Sequence, residues 1–323
     1  MAFLGALPAR FRRERVLIVG CGDVGLRCAA LLGGGQGQGR GPGPRRGPGR
    51  VRLLALTSSP QRLPELRQAG ITPLLGDLDR PETLARLAGL ATRVLHLAPP
   101  PGAMGPGGAD GPSGLDPRSR ALAQALGRRG APCKLVYGST TGIYGDCAGA
   151  SVSETRTPQP STARAQRRLD AERTWRDWGL RRGTDVSLLR IPGIYGGGRP
   201  GGAQARLLRG TPVLRPEDDV YTNHIQADDL ARACLRALWC RAPQRAFNVC
   251  DDTDLRMGDY FDLAADLYGL ARPARITRKQ AEQQLSPALL SFMSESRRLR
   301  NQRMQRELRL VLRFPSVWQG LKG

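Results

Sequence analysis

The chain has 323 residues, 40% of them hydrophobic, which is enough to bury a core in one large domain or two ordinary ones and excludes a disordered polymer. Its formal net charge is +22, from 50 Lys plus Arg against 28 Asp plus Glu, yet only Lys134, Lys279 and Lys322 are lysines. With 41 Gly and 25 Pro alongside, this Arg excess reads as a bias spread over the whole surface, so no specific nucleic-acid partner is expected.

In chain order, RVLIVG (15–20), VRLLALT (51–57), ITPLL (71–75), TRVLHLA (92–98), CKLVYGS (133–139), DVSLLRI (185–191) and AFNVC (246–250) read as short, nearly continuous apolar strands. Helical patterns over 23–32, 60–69, 81–89, 117–129, 161–182 and 226–240 separate most of them. Strands apolar on both faces and alternating with helices predict an α/β fold, a doubly wound, mostly parallel sheet covered on each side. Two stretches break the pattern. Residues 33–50 hold nine Gly and three Pro, and residues 99–117 hold six of each, so both are expected to be flexible surface loops. Further on, Met257, Phe261, Leu263 and Leu267 follow helical spacing as core positions. The run from Ser296 to Leu321 carries seven arginines and a stripe of Met304, Leu308 and Val311, which predicts one basic amphipathic helix closing the structure.

The first strand runs into Gly20-Cys21-Gly22-Asp23-Val24-Gly25 and then into a helix. In such a GxGxxG turn Gly20 allows the tight bend, Gly22 lets the backbone approach a pyrophosphate, and Gly25 lets helix and strand pack closely. The second strand should end at the residue that reads the adenosine ribose. Here it ends in Thr57-Ser58-Ser59 with Arg62 nearby and no acid at the strand end. Small hydroxyls and a guanidinium suit a 2′-phosphate, so NADP is preferred over NAD; the alternative is that the serines cap the next helix and Arg62 is solvated. Asp77 and Leu78 follow the third strand, and Ala98 and Pro99 the fourth; all four belong to the expected cofactor lining, with a turn role open for Asp77.

No apolar run approaches the ~20 residues of a membrane span. In MAFLGALPARFRRERVLIVG charge follows the apolar patch instead of preceding it, so no cleavable signal is expected. The seven cysteines form no CxxC pair and the histidines are only His96 and His224, so neither a metal site nor a disulfide framework is expected, and the compartment reads as cytoplasmic.

Taken in order, GCGDVG, GDLDRPETL, STTGIYGD, LRIPGIYGGGR (189–199), NHIQADDLARACLRAL (223–238) and FNVCDD (247–252) resemble the extended short-chain dehydrogenases/reductases, and more narrowly an atypical branch of the NAD-dependent epimerase/dehydratase family. The resemblance covers roughly residues 15 to 320. It implies a Rossmann domain over 14–191 and 222–252 and a smaller substrate domain over 192–221 and 253–323. It also implies a small-molecule substrate such as a nucleotide sugar, no membrane, and room for a homodimer.

The family's site uses a Ser or Thr, a Tyr, and a Lys four residues after the Tyr. The resemblance puts Thr140 at the first place, while counting from Pro160 and Glu172 puts Arg164 and Arg168 at the other two. No Tyr-x-x-x-Lys occurs anywhere, since Gly130, Arg275 and Trp318 stand four before the three lysines. Arg164 is a poor proton donor, whereas Arg168 could still hold ribose or phosphate. Tyr144 and Tyr195, each in an Ile-Tyr-Gly, are candidates for the missing acid, with a packed aromatic as the alternative for each. Arg199, Asn223 and His224 fall where the family lines its substrate crevice, with Asp228 as the cap of the following helix. His96 reads as a core histidine. Three readings follow: an oxidoreductase or epimerase acting on a polar carbonyl or hydroxyl compound, a cofactor-binding sensor or scaffold without turnover, and a basic nucleic-acid-associated protein.

Overall fold

A computed structural model describes residues 14–33, 51–101, 114–197, 199 and 202–322. Most of the two Gly/Pro-rich stretches lies outside the described residues. Seven strands form the central sheet: β1 (Glu14–Val19), β2 (Val51–Thr57), β3 (Thr72–Leu75), β4 (Arg93–His96), β5 (Lys134–Thr140), β7 (Asp185–Ile191) and β12 (Arg245–Asn248). Their order is β12-β7-β5-β4-β1-β2-β3, and every pairing is parallel. The order reverses at β1, next to β4, which is where a doubly wound sheet opens a crevice at its carboxyl ends.

Alternation along each strand builds two cores. Val16, Ile18, Val136 and Leu189 face α1 (Asp23–Gly33) and α6 (Ala227–Trp239). Leu17, Val19, Leu135 and Leu188 face α3 (Pro117–Gly127) and α4 (Ala163–Arg182). Both faces are therefore apolar, which is why the strands read as continuous runs. A short helix α2 (Leu63–Gln68) follows a 3-10 turn at Pro60–Arg62, and the expected helix at 81–89 is a 3-10 segment over Pro81–Leu87.

α4 is mostly polar, yet it buries Ala165, Ala171, Trp175 and Trp178 on one side. Thr162 caps its start by accepting from the Ala165 N–H, and Gly183 ends it in the left-handed conformation. Glu172, also on the buried side, takes both arms of the Arg190 guanidinium at 3.2 and 3.0 Å.

The remaining short strands pair in twos: β6 (Ser151–Val152) with β15 (Arg298–Leu299), β8 (Gly193–Tyr195) with β11 (His224–Gln226), β9 (Val213–Leu214) with β14 (Arg275–Ile276), and β10 (Tyr221–Thr222) with β13 (Leu255–Arg256). A third apolar core gathers Tyr195, Val213, Leu214, Met257, Tyr260 and Phe261, with Leu263 and Leu267 only partly buried. It lies among α5 (Ala203–Leu208), α7 (Met257–Tyr268), α8 (Arg278–Gln284) and α9 (Pro287–Met293).

The C-terminal run is not one helix. It divides into β15, α10 (Gln302–Glu307) and α11 (Val317–Lys322). Arg309 adopts a φ of 50°, which ends the helical path, and Pro315 precedes the last helix. Met304 and Leu308 are buried, but Val311 is 78% exposed, so the apolar stripe stops at the break.

Candidate functional site

The glycine turn shows three different environments. A Cβ on Gly20 would lie 2.3 Å from the Ala98 backbone nitrogen, and the residue's φ is +83°. One on Gly25 would meet Ile18 at 3.2 Å and the Cys21 sulfur at 3.3 Å. Above Gly22 nothing lies within 4 Å. Two of the glycines are closed by packing, and the middle one faces open space at the start of α1. That shape leaves a place for a pyrophosphate against backbone N–H groups. Burial pushes the Cys21 thiol up to about 11, so the turn carries no thiolate.

Around the turn, Ala98 and Leu78 are buried and Pro99 is exposed, its carbonyl accepting from Arg118 at 3.1 Å. Val24 is half-buried against the sheet's first face. The Asp77 carboxylate accepts from the Asp79 N–H at 3.0 Å and so shapes the turn. Asp23, within the glycine turn, is engaged by protein cations: Arg27 bonds it at 2.8 Å and Arg199 also reaches it. Arg199 therefore corrects its assignment to the substrate crevice, because its charge is drawn to the acid at the start of α1. Asp228 also pairs with Arg27, at 2.5 Å. The cap of α6 is Gln226, whose side chain accepts from the Asp228 and Asp229 N–H groups.

At the end of β2 the Thr57 hydroxyl accepts from the Ser59 N–H at 3.2 Å, and Ser58 is exposed. Arg62 is partly exposed, its side chain 32% accessible. It forks onto Glu65 at 3.1 and 3.2 Å, an acid one helical turn on.

Two tyrosine candidates are sealed away. Tyr144 is 0% exposed; its hydroxyl donates to Asn248 Oδ1 at 2.7 Å and accepts from Arg190 at 2.8 Å. Burial pushes it up to about 12. It is a core hydrogen-bonding residue, which removes it as proton donor. Tyr195 donates to the Ser316 carbonyl at 3.3 Å, and a Cβ on Gly320 would strike its ring at 2.6 Å. Burial and the neighbouring Asp251 raise its pKa well above the tyrosine range. His224, expected in the crevice, stacks on Tyr260 at 3.9 Å, and burial lowers its pKa to about 3. His96 is likewise lowered to about 3 by burial, with Arg168 adding to the effect. Both histidines are neutral core residues. Asn223 does reach the cleft, but its amide donates to the Arg297 carbonyl at 2.8 Å and accepts from the Leu299 N–H at 2.8 Å, so its own groups are spent on structure.

The cleft itself opens at the carboxyl end of β5. It has a volume of about 220 Å³ and is lined by Thr140, Thr141, Arg164, Tyr221, Phe292 and Arg297, among others. Thr140 accepts from the Gly142 N–H at 3.3 Å, which leaves its own proton free to donate to a ligand oxygen. Arg168 points inward from α4 and donates to the Tyr137 hydroxyl at 3.1 Å and the Gly138 carbonyl at 2.5 Å. Thr140, Arg164 and Arg168 thus gather near one strand end; Tyr144, Tyr195, Arg199 and His224 do not. Tyr221, Phe292 and Arg297 were missed, since no local motif marks residues that only the fold brings to β5. Among the described residues no group of His, Cys, Asp or Glu could hold a metal ion, and no helix is long and apolar enough to cross a membrane. A larger concavity of about 730 Å³ lies on the outer faces of α3 and α4, away from the strand ends.

Sheet order, open glycine turn and cleft together define a dinucleotide-binding type of α/β protein with its ligand site beyond the strand ends. Residues 118–250 match the model of the NAD dependent epimerase/dehydratase family. GDP-6-deoxy-D-mannose reductase of Pseudomonas aeruginosa is 28% identical over 159 residues, which is 45% of this chain and about half (52%) of that enzyme. A conserved protein of unknown function from Silicibacter pomeroyi is similar in structure, with a TM-score of 0.74 and 28% identity over 96% of this chain and 97% of the other. The structure of RMD from Pseudomonas aeruginosa complexed with NADPH has a TM-score of 0.69 and 20% identity, covering 96% and 97% of the two chains.

Proposed function

We propose that this protein binds NADP(H) along Gly20–Gly25 and the end of β2, and acts as a reductase or epimerase on a polar carbonyl or hydroxyl compound of the nucleotide-sugar class. The observation that carries the cofactor half is the open space over Gly22 between two closed glycines. The substrate half is supported by the resemblance to a GDP-sugar reductase and by the cleft at Thr140. In this reading residues 14–191 with 222–252 hold cofactor, and 192–221 with 253–323 complete the substrate side.

When bound, the nicotinamide would supply or take up hydride. The chain's own part is to bind and orient. Gly22 and the α1 N-terminus receive the pyrophosphate, and Ser58 with Arg62 receives the 2′-phosphate, for which Arg62 must turn from Glu65. Thr140 donates a hydrogen bond to the substrate oxygen. With Tyr144 sealed, a proton would come from Tyr221, the one phenol lining the cleft among the described residues, or from water. Titration of both reduced cofactors into the apo protein, followed by nicotinamide fluorescence, tests the assignment. NADPH is expected to bind more tightly, and a tenfold preference for NADH would refute the reading of Ser58 and Arg62.

A second reading is favoured by one observation: both family positions after Thr140 are arginines, and neither is an acid near neutral pH. In that reading the protein binds cofactor without turnover, as a sensor or scaffold. Incubation with NADPH or NADP and a panel of nucleotide sugars and aldehydes separates the two; binding without any change in nicotinamide absorbance across the panel favours the second.

A further inference from the structure

We infer that the cleft at the end of β5 takes a ligand with a carboxylate group, held by the Arg164 guanidinium at the cleft's solvent-facing side. The inference rests on the proposed reading only in placing a substrate there.

Arg164 sits in the first turn of α4, with its guanidinium carbon 4.5 Å from the centroid of the Phe292 ring. Stacking on a ring face leaves the N–H donors at the guanidinium edge free, and that planar fork matches a carboxylate or phosphate. Among the described residues no carboxylate pairs with it. The nearest acid is already committed: Glu295 accepts from Arg297 at 2.9 Å through one oxygen and from Ser161 at 2.7 Å through the other. Arg297 is further held by the Gly145 carbonyl at 2.6 Å. Arg168, one turn along α4, is satisfied by neutral oxygens alone. Two cations, Arg164 and Arg297, therefore share one acid, Glu295, in the lining of a cleft of about 220 Å³. Arg164 is solvent-exposed on that cleft; partial desolvation and then the charge on Arg168 lower its pKa, Glu295 acts against them, and Arg297 contributes least. Beside Arg164 stand Thr140, with a proton to donate, and Thr141. A ligand oxyanion would relieve the repulsion, while a neutral hydroxyl would not.

The alternative is that Arg164 merely ties α4 to α9 through Phe292. Two nucleotide sugars that differ at one carbon, UDP-glucuronate and UDP-glucose, distinguish these roles by calorimetry on the NADPH-loaded full chain. The parent is expected to bind the uronate at least about tenfold more tightly, as a hydrogen bond to a charged group provides. Arg164→Gln should erase that preference while leaving UDP-glucose and NADPH affinities unchanged, and Arg164→Lys should keep part of it. Crystals soaked in selenate should show anomalous density at Arg164 in the parent and none in Arg164→Gln. Equal binding of the two sugars, a preference that survives in Arg164→Gln, or neither sugar binding with no selenate at Arg164 overturns the inference. Failure of the parent to bind NADPH would instead count against the cofactor reading, and the selenate experiment would still decide the anion site.

Discussion

At the scale of single residues, the glycine turn separates folding from ligand binding more sharply than any other position. Gly20 needs its φ of +83° and the close approach to Ala98, so an added methyl there meets backbone. Gly20→Ala should therefore lose at least about 2 kcal/mol of stability, from left-handed strain plus the steric clash. Gly22 has neither constraint. Gly22→Val should leave stability within about 0.5 kcal/mol of the parent, as expected for an exposed site, and yet abolish dinucleotide binding by filling the pyrophosphate space. Urea unfolding and cofactor titration on both variants check the pair. Undiminished cofactor affinity in Gly22→Val would mean that the glycine run is only a turn. Arg62 shows why residue identity is an incomplete guide here: the absence of an acid at the strand end is legible, but its pairing with Glu65 one helical turn later depends on where the folded backbone places both side chains.

At the scale of elements, the tie between α4 and β7 is the buried ion pair of Glu172 and Arg190, 2% and 4% exposed. Tyr144 and the Glu154 carbonyl complete the arginine's bonds at 2.8 and 3.1 Å. Glu172→Ala strands a buried guanidinium and should cost about 3–5 kcal/mol. Replacing both partners by methionine removes the stranded charge and should recover most of that loss, because desolvating the pair is itself costly. Equal losses in the single and double variants, measured by urea unfolding, would show that burial of charge is not what sets the cost. This tie also marks the limit of sequence reading. The strands were legible because both faces of the sheet are covered, and the glycine turn because its spacing follows from its geometry. For Tyr144 the sequence leaves proton donor and packed aromatic both open, because an Ile-Tyr-Gly at a strand end gives the position and not the direction of the side chain. Its partners Arg190 and Asn248 lie 46 and 104 residues away. The C-terminal run was misjudged for a different reason: helical periodicity in Met304, Leu308 and Val311 continues past Arg309, where the backbone turns left-handed. Phe292 and Arg297 carried no local signal, since their role depends on the closure of α9 and β15 over β5.

For the whole molecule, three buried titratable groups set opposing dependences of stability on pH. His96 and His224 have folded pKa values lowered to about 3, so the stability of their neutral burial is present above the ordinary value near 6.5 and is lost as pH falls toward 3. Asp251 behaves in the opposite sense. It is 3% exposed, accepts from the Thr253 N–H at 3.0 Å, and burial raises it to about 7. Its contribution is complete below about 4, where both states are protonated, and is lost as pH rises to about 7. Between pH 4 and 6 the unfolded chain therefore takes up two histidine protons, while the native state holds one extra at Asp251. The net of one proton gives these groups a fall of about 1.4 kcal/mol per pH unit on acidification. In Asp251→Asn the offset is gone, and the slope from these groups should roughly double. The variant should also be more stable than the parent at pH 8, where the native aspartate is charged and buried. Urea unfolding of parent and variant across pH 4 to 8 isolates Asp251, because every other titration is common to both chains. Parallel curves would mean that Asp251 titrates in the native protein as it does in the unfolded one.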